Sequence, residues 1–153
     1  MGIKFLLFIV ILFSQLFYNK KAYCAITPQE QFVLDFYRWY CKEVSADTER
    51  DPILDNTILK YVDSRTIARL RMRYERARKD PDYLIDSDYF MKGNDFWPEL
   101  CNNITAHDLT VTGEGMYTIH VTFKISKDNN HTVIVFVERV NNSFYIINVE
   151  RGD

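Results

Sequence analysis

The chain has 153 residues, 47% hydrophobic and 26% charged, with 5 Gly and 4 Pro. That is enough apolar material for one domain with a packed core, and the composition excludes collagenous, low-complexity and disordered chains. The formal charge of -2 is unevenly placed: residues 1–25 hold Lys4, Lys20 and Lys21 and no acid, so without them 19 basic against 21 acidic residues become 16 against 21, or -5. A domain at -5 has no overall basic field for a polyanion, which argues against nucleic acid as a partner.

Met1 to Ala25 has the pattern of a secretory signal. Lys4 supplies the positive n-region, and Phe5 to Phe17 is an apolar run broken only by Ser14 and Gln15. The run is shorter than the roughly 20 residues a bilayer span needs, which argues against the competing reading of an uncleaved anchor helix. Small residues at Ala22-Tyr23-Cys24-Ala25 offer the cleavage site. Lys21 and Tyr23 disfavour acylation of Cys24, because lipoprotein processing wants an aliphatic and then a small residue before the cysteine. The expected organisation is a signal peptide over 1–25 and one domain over 26–153, with no stable membrane span after processing.

Cys41 and Cys101 remain in the folded part. An exported domain meets an oxidising compartment, so one disulfide between them is the economical inference, with two separately buried thiols as the alternative. Neither cysteine has redox or zinc spacing, and His107, His120 and His131 are isolated from one another. No metal or other cofactor is expected.

Thr27-Pro28-Gln29-Glu30 is a capping box with proline at the first helical position, so a helix begins there. Phe32, Phe36 and Tyr40 recur every four residues beside Val33, Tyr37 and Val44, and give a broad aromatic face that stops before Ser45 to Asp51 and Pro52. A second helical region is expected near Asp55, with Leu54, Ile58, Leu59 and Val62 as its apolar positions. Ser64 or Asp63 caps a third helix, Arg65 to about Lys79, which turns Ile67, Leu70 and Tyr74 inward. Arg65, Arg69, Arg71, Arg73, Arg76 and Arg78 make this helix either a basic ridge for phosphate or an acidic partner, or, as the plainer and favoured reading, a solvated face. No aromatic residues interleave as a single-strand binder would need.

After Asp80-Pro81 comes an acidic and aromatic stretch: Asp82 to Phe90, then Asn94-Asp95-Phe96-Trp97-Pro98-Glu99. Asp86 and Asp88 fit three uses: calcium ligands, for which the later glycine and glutamate of an EF-hand are missing; a paired-carboxylate acid–base site; or turn caps, the commonest use of such residues. From Ile104 the apolar period changes to two, and four strands run through Ile104–Val111, Met116–Ile125, Val133–Val137 and Phe144–Val149. Thr112 to Gly115, Lys127 to Asn130 and Asn141-Asn142 are short connections, so the strands form an antiparallel meander. One sheet face is polar (Thr118, His120, Thr122, Lys124), and the helices are the available cover for the other. The expected class is α+β, with N-terminal helices packed on a curved four-stranded antiparallel sheet. Three Asn-X-Ser/Thr sequons, at Asn103, Asn130 and Asn141, matter only for a eukaryotic source, which the style of the signal argues against.

The signal peptide, the aromatic helix Phe36-Tyr37-Arg38-Trp39-Tyr40, the acidic-aromatic centre (Asp86 to Phe90, Asn94-Asp95-Phe96) and the terminal meander together resemble a bacterial exported family with an NTF2-like, or cystatin-like, cone. The resemblance covers about residues 27–150; Phe144-Tyr145-Ile146-Ile147 stands where such domains commonly have a tryptophan. It implies a periplasmic protein similar to the immunity proteins that inhibit toxins delivered by the type VI secretion system. On that footing the chain is expected to be no enzyme but a binding protein that docks on a cell-wall-degrading effector; the charge of -5 favours a basic one, and a homodimer is compatible with it. Tyr83, Asp86, Asp88, Tyr89, Asp95 and Trp97 are the expected contact residues, each aromatic having a core position as its plainer alternative. Two other classes stay open: an envelope ligand binder with an aromatic-lined cone mouth, and an enzyme with two titratable groups converging in a pocket.

Overall fold

The computed structural model describes residues 25–46, 51–93, 101–111, 113–127 and 129–152. The signal segment, Asp95 and Trp97 lie outside the described residues. Helix α1 spans Pro28–Ser45, and its N-terminus is the capping box read from the sequence: Thr27 accepts from the Glu30 N–H, and Glu30 accepts from the Thr27 N–H at 2.7 Å. Glu30 does a second task, accepting the Asp108 N–H at 2.8 Å and so joining the helix to the first strand. Burial opposes ionisation of Glu30, but these backbone donors and the Thr27 hydroxyl outweigh it and hold its pKa below the ordinary value.

The second helical region is two 3₁₀ turns, Pro52–Leu54 and Asn56–Lys60, rather than one helix. Asp51 and Asp55 each accept a backbone N–H two residues on, from Ile53 and Thr57, and each local bond restarts the chain. Ile58 and Val62 are buried as expected, but Leu54 and Leu59 face solvent. Helix α2, Ser64–Lys79, is capped by Asp63 and buries Thr66, Ile67 and Leu70, while Tyr74 packs partly buried against the core.

Strands β1 (Ile104–Val111), β2 (Met116–Lys124), β3 (Asn130–Val140) and β4 (Ser143–Arg151) form one sheet in the order β1-β2-β3-β4, every pair antiparallel. The tight turn Asn141-Asn142 puts Asn141 at φ 56°, the left-handed conformation that asparagine tolerates. The outer edge of β4 is covered by residues 61–63, through Ile146 N–H to Tyr61 O at 2.8 Å and Asp63 N–H to Ile146 O at 2.9 Å. Ile119, Val121, Phe123, Val133, Val135, Val137, Ile146 and Val149 form the helix-facing side of the sheet.

Phe36 is the centre of the core, with ring centroids of Tyr37, Trp39, Tyr40, Tyr61 and Phe90 between 5.0 and 6.1 Å from its own. Phe36, Tyr37, Tyr40, Phe90 and Phe123 are each no more than 1% exposed, so bulky rings fill the space between α1 and the sheet where an NTF2-like pocket would lie. The expected disulfide is present: Cys41 in α1 is bonded to Cys101, with Cα atoms 5.7 Å apart.

Candidate functional site

The stretch from Asp80 to Gly93 divides into an outward part and an anchored part. Asp80 ends α2 and starts a turn, its carboxylate accepting the Asp82 N–H at 3.1 Å and its carbonyl accepting the Tyr83 N–H at 3.0 Å. The Tyr83 ring then lies under the Arg76 guanidinium, 4.3 Å from its centroid. Leu84 is 78% exposed, the most exposed large apolar side chain of the described residues, and Asp86 is exposed beside it. Of the expected contact residues here, Asp86 is solvent-facing and Tyr83 is part-buried beneath Arg76.

Asp88 and Tyr89 point to other work. One Asp88 oxygen accepts the N–H groups of Phe90 and Met91 at 2.8 and 2.6 Å, and the other accepts the Tyr40 hydroxyl. The turn closes with Lys92 N–H to Asp88 O at 2.9 Å and Asp88 N–H to Gly93 O at 3.0 Å. It drives Phe90 into the core, where its carbonyl accepts the Tyr37 hydroxyl at 2.9 Å. Tyr89 is half-buried and donates its hydroxyl to Asn148 on β4 at 2.8 Å. Of the three uses weighed for Asp88, the geometry matches the turn cap.

Burial pushes the Asp88 carboxyl above its ordinary pKa, and the nearby Asp51 adds to this, while the bonds from Tyr40, Met91 and Phe90 pull it back. Tyr37 and Tyr40 are pushed well above the ordinary tyrosine value, chiefly by burial and then by Asp88, so both remain hydroxyl donors. Asp88→Asn is expected to stay within about 1 kcal/mol of wild type, since its amide oxygen still accepts from the turn and its NH₂ can donate to Tyr40; Asp88→Ala should lose about 2–3 kcal/mol. Because folding raises this pKa, the carboxyl's favourable contribution is full below the unfolded value of about 4 and is lost as pH rises through the folded value. Urea midpoints at acid and neutral pH should therefore move in favour of Asp88→Asn as pH rises; a wild type that gains on the variant toward neutrality contradicts the assignment.

The acid–base reading finds little in this geometry. Asp86 is solvent-facing, Asp88 is engaged in the turn, His107 is exposed, and a His131 ring nitrogen meets the Met91 carbonyl oxygen. Among the described residues no group of three or more His, Cys, Asp or Glu could hold a metal, and Cys41 and Cys101 are joined rather than free as nucleophiles.

Two features of this region escaped the sequence reading. Lys92 adopts φ 52° and lays its ammonium 4.0 Å from the Tyr89 ring centroid, which nothing in its neighbours' identities signals. Met72 is 67% exposed within the arginine-rich face of α2; a helical projection, which puts it at the wrong angle for the core, is the signal that could have found it.

No protein-family model matches the chain, and no curated protein matches it in sequence. Among solved structures it is similar to a chain in the crystal structure of the type VI native effector–immunity complex Tae3-Tai3 from Ralstonia pickettii, at 25% identity and a TM-score of 0.66, covering 84% of this chain and 97% of that one. The selenomethionine form of that complex gives 25% identity and a TM-score of 0.62 over 81% and 96% of the two chains. Two helices on an open, four-stranded antiparallel sheet are thus an α+β architecture with its neighbours in a type VI effector–immunity complex, in keeping with the immunity-type resemblance carried by the sequence.

Proposed function

We propose that this protein is a type VI immunity protein: exported to the periplasm, without catalytic activity, it binds and blocks a cell-wall-degrading effector. The observation that carries the reading is the likeness to a chain of the Tae3-Tai3 complex over 97% of that chain's length. Of the two roles in such a complex, the inhibitor's suits this chain better, because its described thiols are locked in a disulfide and its best-placed carboxylate caps a turn. The disulfide also suits an oxidising compartment, and among the described residues no helix is long and apolar enough to cross a membrane. The Tyr83–Asp86 segment, with Leu84 and Asp86 exposed and Tyr83 part-buried, offers an apolar and an aromatic anchor with a charged rim, the composition of a protein contact.

The test is protection. The product of the adjacent gene, directed to the periplasm of a host cell, should lyse it; co-expression of this chain with its residues 1–25 should restore growth, and without them it should not. Lysis that persists with correctly exported chain, together with no binding between the purified proteins, would overturn the immunity reading.

A further inference from the structure

The outward side of α2 is strongly basic. Arg65, Arg69, Met72 and Arg76 follow i, i+4, i+7 and i+11 and so form one stripe, opposite the buried Thr66, Ile67 and Leu70. The helix carries seven basic residues against the single acid Glu75, a local charge of +6. Residues 26–153 sum to -5, so subtracting +6 leaves the rest of that domain at -11.

Some of the cations are satisfied internally. Arg71 donates to the Ile53 and Asp55 carbonyls at 2.9 and 3.3 Å, Arg78 pairs with Glu75 at 2.9 Å, and Arg65 reaches Asp63 at 3.4 Å. Arg69 and Arg73 have no ion-pair or hydrogen-bond partner among the described residues. Burial, and then the Arg73 guanidinium, lower the Lys92 pKa, while Asp88 and Glu150 act to raise it. A groove of about 470 Å³ borders the other side of Met72 and Arg76, lined also by Arg71, Glu75, Lys79 and Asp80 rather than by Arg69 or Arg73.

We propose that the face formed by Arg69, Met72, Arg73 and Arg76 docks a protein partner through that partner's acidic side chains, an apolar group of the partner resting on Met72. Guanidinium forks match carboxylates in bidentate geometry, and Arg76 is pre-oriented by its stack on Tyr83. A bilayer would need a wider apolar strip than one methionine, and the acidic remainder of the domain would repel an extended polyanion. The identity of the partner as an effector rests on the immunity reading; the acidity of its contact face does not follow from that reading and departs from the basic effector that net charge suggests. Net charge governs the far field, whereas the contact is decided by the charges on the patch.

The experiment is binding of the adjacent-gene product to wild type, R69E/R73E, R69K/R73K and the control K124E/R151E, which makes the same change in net charge at exposed sites on the sheet. Between about 50 and 300 mM salt, wild-type affinity should fall. R69E/R73E should bind at least about tenfold more weakly and lose most of that salt dependence, R69K/R73K should fall between the two, and the control should stay within about threefold of wild type. Equal affinity for R69E/R73E, or an equal loss in the control, overturns this inference and leaves the immunity reading standing. Absence of wild-type binding overturns the immunity reading and, with it, the partner assigned to this face. Phosphatidylglycerol vesicles, or a second copy of the chain, captured by wild type and released by R69E/R73E while effector binding is intact would instead assign the face to lipid or to self-association and overturn it.

Discussion

Reduction of the Cys41–Cys101 bond, or the double change C41A/C101A, is expected to cost roughly 4 kcal/mol of folding stability, because the bond closes a loop of 60 residues. That loop contains both 3₁₀ turns, α2 and the whole Asp80–Gly93 stretch, the parts of the molecule with the least sheet to hold them. Cys41 sits on the buried side of α1 and Cys101 just ahead of β1, so the bond ties the helix layer to the first strand. Ordering the loop without that tie carries the full closure entropy, a sizeable share of the 5–15 kcal/mol of a typical domain. Urea unfolding with and without reductant should show the midpoint fall. Intact mass should show one bridge, and an unchanged midpoint in protein proven reduced would remove the bond from the stability argument.

Phe36→Ala should cost about 3–5 kcal/mol, the range for a large buried aromatic whose cavity cannot collapse. Collapse is difficult here because its neighbours belong to different parts of the chain: Tyr37, Trp39 and Tyr40 on α1, Tyr61 after the second 3₁₀ turn, and Phe90 held in place by the Asp88 turn. Edge-to-face packing with Tyr37 and Phe90 adds to the loss. Phe36→Leu, which refills most of the volume, should cost less than about half as much. Near-equal losses would mean that ring geometry, rather than cavity volume, sets the energy of this core.

Much of the architecture was legible because it is written in neighbouring residues. The Thr27–Glu30 box, the four-residue spacing of Phe32, Phe36 and Tyr40, and the alternation through Val133, Val135 and Val137 each name a conformation within a few positions, and each appears as read. The 3₁₀ turns were less legible: Leu54, Ile58, Leu59 and Val62 have a helical spacing, but the Asp51 and Asp55 carboxylates compete for the same backbone donors and win. The site was legible as a stretch and not residue by residue. Asp86 and Asp88 are two positions apart with the same chemistry, yet one faces water and the other takes the Tyr40 hydroxyl across 48 residues of chain.

By itself, the sequence determined the order of the elements, the two long helices, the four strands and the α+β class, since local hydrogen-bonding and burial preferences repeat with the period of each element, and it left the Cys41–Cys101 bond as the more economical of two readings. Only the tertiary structure decided which carboxylates are spent inside, that rings fill the space under α1, and that Arg69 and Arg73 of α2 find no ion-pair partner among the described residues. Those outcomes depend on residues distant in sequence competing for the same space and the same donors, and an average such as a net charge of -5 carries no information about which of them end up side by side.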